Sequence, residues 1–254
     1  MQAMDSTTTP SHSFGVARGI SDASFTTFMG QILSKLKTLV KCYFPIIGII
    51  TVLTGGASAE GMQPIPDAIW ADMQGKSFHS DVKGCAQRAD LVLLNVPYWD
   101  YTGKAKSGQL IVNKSVGKDV LDMFKTLYTD KSYVFERIEL IDKYGGNDRA
   151  SMNVNNTSGY NCRVVSGTAR LSSHARGLAV DINPFTNPYV WKEGTSPPGA
   201  TAFDTLKERE AAKTKPGMIL RRSAVVKAFK AKGWKWGGDW SLIKDYQHFS
   251  KDGK

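Results

Sequence analysis

Cysteine and histidine are scarce in this chain, with three of the first and four of the second in 254 residues. Cys42, Cys85 and Cys162 lack paired spacing, so a zinc ribbon is excluded. The apolar stretch CYFPIIGIITVL, Cys42–Leu53, is too short for a comfortable membrane span and contains Pro45 and Gly48. No run of lysine and arginine is dense enough to form a nucleic-acid patch, and no nucleic-acid partner is expected. Internal repeats and low-complexity linkers are missing after Glu60. What is present is a globular composition, 41% hydrophobic with 22% charged, which excludes a disordered chain. The formal net charge of +10 suits polyanionic surroundings such as nucleic acid, anionic lipid or an acidic wall polymer. Because the lysines are scattered, a solvated basic surface is the reading adopted.

Residues 1–59 differ from the rest. Lys35, Lys37 and Lys41 precede the apolar stretch, and GGASA follows with Ala57 and Ala59 where a signal peptidase cuts. This is the layout of a secretion signal, with an uncleaved membrane anchor over residues 42–55 as the alternative. A start at Met29 would account for the long polar stretch ahead of it. The expected location is outside the cytoplasm: secreted, periplasmic or wall-associated. In such an oxidising compartment Cys85 and Cys162 either form a bridge or remain two separate buried thiols.

Residues 60–108 read as an N-terminal extension packed on the core, and residues 109–254 as one further domain. LVLLNV (Leu91–Val96) and QLIVN (Gln109–Asn113) are strand candidates. Val116, Val120, Met123, Phe124 and Leu127 recur at helical spacing, which predicts a helix over 116–129 capped by Ser115. A β-rich stretch, YVFERIELI, is expected from Tyr133. Ala224, Val225, Ala228 and Phe229 mark a second helix that Gly233 would end, with Trp234 and Trp236 in the core. Residues 191–217 are an excursion containing a polar, solvated helix at KEREAAKTK; it either rims the site or is a surface insertion. Mixed strands and helices without βαβ alternation predict an α+β domain, a small antiparallel sheet flanked by helices.

Two of the four histidines fall in the most patterned segments, SSHARGLAVDINP (Ser172–Pro184) and DYQHFS (Asp245–Ser250). Two imidazoles and a carboxylate make a catalytic zinc site with one position open. In GLAVDIN, Leu178, Val180 and Ile182 alternate with Ala179, Asp181 and Asn183. The first set is core, and Asp181 points away from it beside the small Ala179. His174 is seven residues before Asp181, an odd interval that needs a bend, which Gly177 can supply. Asp245 and His248 are three apart and share a side only in a turn. There Asp245 could accept the proton of a metal-held water. The bland reading makes Asp245 a turn cap and each histidine a core residue.

S-x-H-x-x-G-x-A-x-D, filled by Ser172, His174, Gly177, Ala179 and Asp181, resembles the signature of the D-alanyl-D-alanine carboxypeptidases, VanY- and VanX-like zinc peptidases of the bacterial cell wall. Asp245 and His248 resemble the family's second motif, where many members have Glu. WGGDW (Trp236–Trp240), NTSGYNCR (Asn156–Arg163) and NPYV (Asn187–Val190) resemble the VanY-like branch. The resemblance implies one Zn2+ held by His174, Asp181 and His248, with Asp245 as general base and a peptidoglycan peptide as substrate. Arg163 is the candidate for stabilising the oxyanion or clamping a substrate carboxylate, with Arg149 as competitor. Ser172 is expected to hydrogen-bond to a ligand or to substrate, and Arg176 to lie on the surface.

The activity this implies is release of terminal D-alanine, with cleavage between L-alanine and D-glutamate as the lytic alternative. A non-catalytic zinc module like the related Hedgehog domains would have no need of Asp245. A non-haem iron oxygenase shares the ligand set, but a secretion signal argues against it.

Overall fold

The computed structural model describes residues 61–253. The expected signal or anchor, including Met29, lies outside the described residues. Among the described residues no helix is long and apolar enough to cross a membrane.

Strand β1 (Met62–Gln63), helix α1 (Asp67–Met73), β2 (Leu91–Trp99) and β3 (Ala105–Asn113) come first. β2 and β3 pair antiparallel over nine positions, Leu91 with Asn113 through Trp99 with Ala105, and β1 adds to the edge of β2. Strand β3 runs across residue 108, where the sequence reading divides extension from domain. The hairpin is covered on both sides, which is why Leu91–Leu94 is a continuous apolar run. Leu94, Val96, Leu110 and Val112 face the main core, whereas Leu91, Leu93 and Ile111 face a second cluster with Ile65, Met73, Tyr160 and Cys162.

Helix α2 (Lys114–Thr129) starts two residues earlier than its spacing predicts. Asn113 rather than Ser115 caps it, its Oδ1 accepting from the Ser115 N–H at 3.1 Å and the Ser115 hydroxyl at 2.7 Å. The apolar stripe of α2 packs on β2 and on helix α5 (Ala224–Ala231), where Phe124 meets Phe229 edge to face. Both phenylalanines are fully buried, and truncating either to alanine would cost about 3–5 kcal/mol. Gly233 ends α5 as expected, at φ +75°, and lets Trp234 N–H close back on the Phe229 carbonyl. Trp234 and Trp236 are core residues.

The stretch from Tyr133 is not β-rich. Only β4 (Arg137–Ile138) forms there, parallel to β5 (Asn156–Thr157), with helix α3 (Asp148–Asn153) between them. Side-chain amides replace the missing ladder: Asn183 accepts from Glu136 N–H at 3.0 Å and donates to the Val134 carbonyl at 3.0 Å. Asn156 accepts from Glu139 N–H at 2.9 Å. Local β propensity yields to these buried amides.

Strand β6 (Ala179–Asp181) pairs with β11 (His248–Ser250), which also pairs with β9 (Lys235–Trp236). A separate sheet orders β10 (Lys244–Asp245), β7 (Tyr189–Trp191) and β8 (Gly194–Ser196). The architecture is α+β with small, mainly antiparallel sheets.

The helix expected at KEREAAKTK is α4 (Leu206–Ala211), but it is not simply solvated. Arg209 is 0% exposed and donates to the carbonyls of Thr186, Phe203 and Ile219 and to Asn187 Oδ1, at 2.7–3.2 Å. Its guanidinium lies 3.9 Å from the centre of the Tyr246 ring. Burial draws its pKa down to about 10, so it keeps its charge at neutral pH. The excursion is thereby tied to the loop between Asp245 and His248.

Candidate metal centre

His174 opens a 3-10 turn, His174–Arg176, that closes with the Gly177 N–H on the His174 carbonyl. Gly177 is at φ +68°, and a Cβ there would come within 2.5 Å of the Asn113 nitrogen. It supplies the bend that the odd interval to Asp181 demands, and only glycine fits. Asp181 ends β6 directly opposite His248 on β11, so their side chains share a face. The other face of β6 is not open as its alternation suggests: Ala179 and Asn183 are also fully buried.

Asp245 and His248 do not share a turn. They sit on different strands, and the chain changes sheet across Tyr246–Gln247, where Tyr246 N–H binds the Pro188 carbonyl and the Gln247 carbonyl accepts from Ile182 N–H. That switch re-aims the two side chains in a way a continuous strand would not.

Three donor side chains converge. His174 Nε2 is 3.3 Å from His248 Nδ1, Asp181 Oδ1 is 3.0 Å from His248 Nδ1, and Asp181 Oδ2 is 3.2 Å from His174 Nε2. Tetrahedral zinc with bonds of about 2.0–2.1 Å places neighbouring ligand atoms about 3.3–3.4 Å apart. The separations between the donor side chains are already near that size. His174 Nδ1 lies 2.6 Å from the Gly159 carbonyl, which can only accept, so Nδ1 carries the proton and Nε2 keeps its lone pair for a metal. Both imidazoles are buried and the Asp181 side chain is 13% exposed. Burial opposes the Asp181 charge, but the two imidazoles in their charged form outweigh it and hold the carboxyl far below the usual range. A buried carboxylate between two nitrogen donors calls for a cation, and this donor set fits a divalent one of zinc type.

Burial, reinforced by the negative charge of Asp181, pushes the Asp245 carboxyl up to about 7, while His248 and His174 pull the other way. Its Oδ1 is buried with no hydrogen-bond partner among the described residues. An unsatisfied carboxylate oxygen with a raised pKa beside a ligand triad is poised to handle a proton.

Residues 166–251 match the family model described as D-alanyl-D-alanine carboxypeptidase. This stretch is similar to that peptidase family. It contains all three donors and Asp245, while Gly159 and Arg163 precede it. No solved structure matches the chain.

The remaining predicted residues have definite places. The Ser172 hydroxyl accepts from the backbone N–H of His174 at 3.2 Å, so it braces the turn that carries a ligand. Arg163 pairs with Asp148, whose carboxylate also accepts from Asn161 at 2.8 Å. Arg149 is exposed. Arg176 is partly exposed and pairs with Asp252, which holds the Ser173 hydroxyl at 2.7 Å. Cys85 and Cys162 form a disulfide, choosing between the two readings the sequence leaves open.

Sequence reasoning missed several neighbours of the centre. Gly159 fixes the His174 tautomer, the Trp240 ring lies 5.5 Å from His248, and Tyr189 stands opposite Asp245. All three are inside segments quoted for their resemblance, but only contacts across the fold reveal what they do.

Proposed function

We propose that this protein is a zinc-dependent peptidase that hydrolyses peptide bonds in peptidoglycan stem peptides outside the cytoplasm. The observation that carries this reading is the close cluster of His174, Asp181 and His248 with the buried, unpartnered Oδ1 of Asp245 beside it. The chemistry that zinc supplies in such a site is polarisation of the scissile carbonyl and acidification of the attacking water. Asp245 takes the proton of that water and delivers it to the leaving amine. His174 and His248 are buried, and Gly159 keeps the His174 ring in the one tautomer that can bind metal. Ser172 holds the His174 turn in place. A non-catalytic zinc module would have no use for an acid with a raised pKa at this position. The disulfide supports an oxidising compartment, since such bonds persist outside the cytoplasm.

Release of terminal D-alanine is the activity suggested by the family description. One observation favours the second reading, cleavage between L-alanine and D-glutamate: the Arg163 guanidinium, the candidate clamp for a terminal carboxylate, is already held by Asp148. Mass spectrometry of purified muropeptides after incubation with the enzyme tests both. Loss of D-alanine identifies the first and a stem peptide freed of L-alanine the second. Unchanged muropeptides with zinc-loaded protein would defeat the peptidase reading.

A further inference from the structure

Tyr189 and Trp191 are two apart on β7, so they share one face of the sheet, and their rings are nearly parallel with centres 5.3 Å apart. Both remain partly exposed. The register puts Tyr189 directly opposite Asp245 on β10, and Trp191 directly opposite Gly194 on β8. Side chains paired in this way point to the same side. Gly194 lets the indole fold across its strand: a Cβ there would come within 2.8 Å of the Trp191 ring. The outcome is an aromatic shelf of two overlapping, offset-stacked rings that begins beside the proton-handling carboxylate and follows the strand. The metal and the base leave this shelf without a role.

Flat, partly exposed rings at fixed spacing recognise flat apolar surfaces, and the carbohydrate part of peptidoglycan offers these on its pyranose rings. Distance selects which peptide bond such a sugar would bring to the centre. Trp191 is two residues from Tyr189, about 7 Å along the strand. In a stem peptide the L-alanyl-D-glutamate bond is close to the sugar, whereas the terminal D-alanine bond is three residues on, roughly 10 Å farther when extended. A sugar on the shelf therefore matches the sugar-proximal bond.

We infer that Tyr189 and Trp191 form a pyranose-binding subsite that anchors the glycan and presents the sugar-proximal peptide bond to the metal centre. The inference rests on the peptidase reading for the bond cut, but not for the sugar bound. The experiment uses two readouts on the zinc-loaded protein and its Trp191→Ala variant. Calorimetric titration with peptide-free glycan fragments reads the subsite alone. Hydrolysis rates on sugar-linked and free stem peptides read its use. The wild type should bind the fragments and prefer the sugar-linked peptide by about tenfold, near the upper end of one aromatic stacking contact. Trp191→Ala should abolish both effects and leave the free-peptide rate unchanged. Trp191→Phe, which keeps a flat ring, should retain most of the preference and serves if the alanine variant fails to fold. Equal glycan binding by wild type and variant, or an equal fall on both peptides, overturns the subsite. Glycan binding that depends on Trp191 without any hydrolysis leaves the subsite standing and defeats the peptidase reading instead.

Discussion

Gly237 lies against Asp245 so closely that a Cβ on the glycine would sit 2.6 Å from the aspartate's carbonyl oxygen and 2.8 Å from its Cβ. The candidate base is thus held from behind by a residue with no side chain. Gly237→Ala must push β10 away, and a displacement of even 1 Å in a catalytic group costs about a hundredfold in rate. Hydrolysis should fall by that order while metal content, measured by elemental analysis, stays at one zinc per chain. Wild-type turnover in this variant would remove Asp245 from the mechanism.

Removing a ligand should behave differently. His174→Ala or Asp181→Asn deletes one corner of the donor triangle, so zinc stoichiometry itself should collapse along with activity. A chelator should reproduce the loss in the wild type, and added zinc should restore it there but not in the variants.

Asp245→Asn should retain zinc and lose activity by at least about a hundredfold, the range for a general base. The sign of the pH effect follows from the direction of its shift. Burial raises the Asp245 pKa to about 7, and a base works only when deprotonated, so activity rises with pH through the folded pKa. A bound cation moves that limb to lower pH. The kcat/KM profile of the wild type should show this acid limb, and the residual activity of the Asn variant should lack it.

The disulfide closes a loop of 77 residues, and cross-linking a loop of that size stabilises a fold by about 4 kcal/mol in the chain-entropy model. Cys85→Ser with Cys162→Ser should lower the melting temperature by about 10 °C, as calorimetry would detect. An unchanged Tm would mean that the bond does not form in the purified protein.

Arg209→Met tests the buried cation. It takes the guanidinium donors from three carbonyls and leaves Asn187 Oδ1 with only the Ile219 N–H, a loss on the order of 3 kcal/mol or more. Denaturant unfolding should show it. Arg209→Lys should rescue only part, because one ammonium cannot reproduce the planar fork.

Much of this site was legible before any fold was known. The spacing from His174 to Asp181, with Gly177 and Ala179 between, and the distant His248 pointed to the three donors that the fold brings together. The amphipathic stripe of α2 and the apolar run of β2 were equally readable, because burial on one or both faces leaves a direct periodic trace. Other features left none. The stretch from Tyr133 has strand composition, but Asn183 and Asn156 take its backbone hydrogen bonds, and nothing local in the sequence announces partners that far away. KEREAAKTK looks solvated because its composition is polar, yet Arg209 is drawn inward by carbonyls from three other segments.

The sequence by itself determined which residue types could bind a metal, since donor chemistry belongs to the side chain. Only the tertiary structure decided how they meet. Pairing β6 with β11 brings Asp181 opposite His248, the change of sheet after Asp245 puts it within electrostatic reach of the donors, and the Gly159 carbonyl selects the His174 tautomer. Those are relations between segments up to 74 residues apart, and long-range pairing is fixed by packing of the whole core rather than by any local pattern.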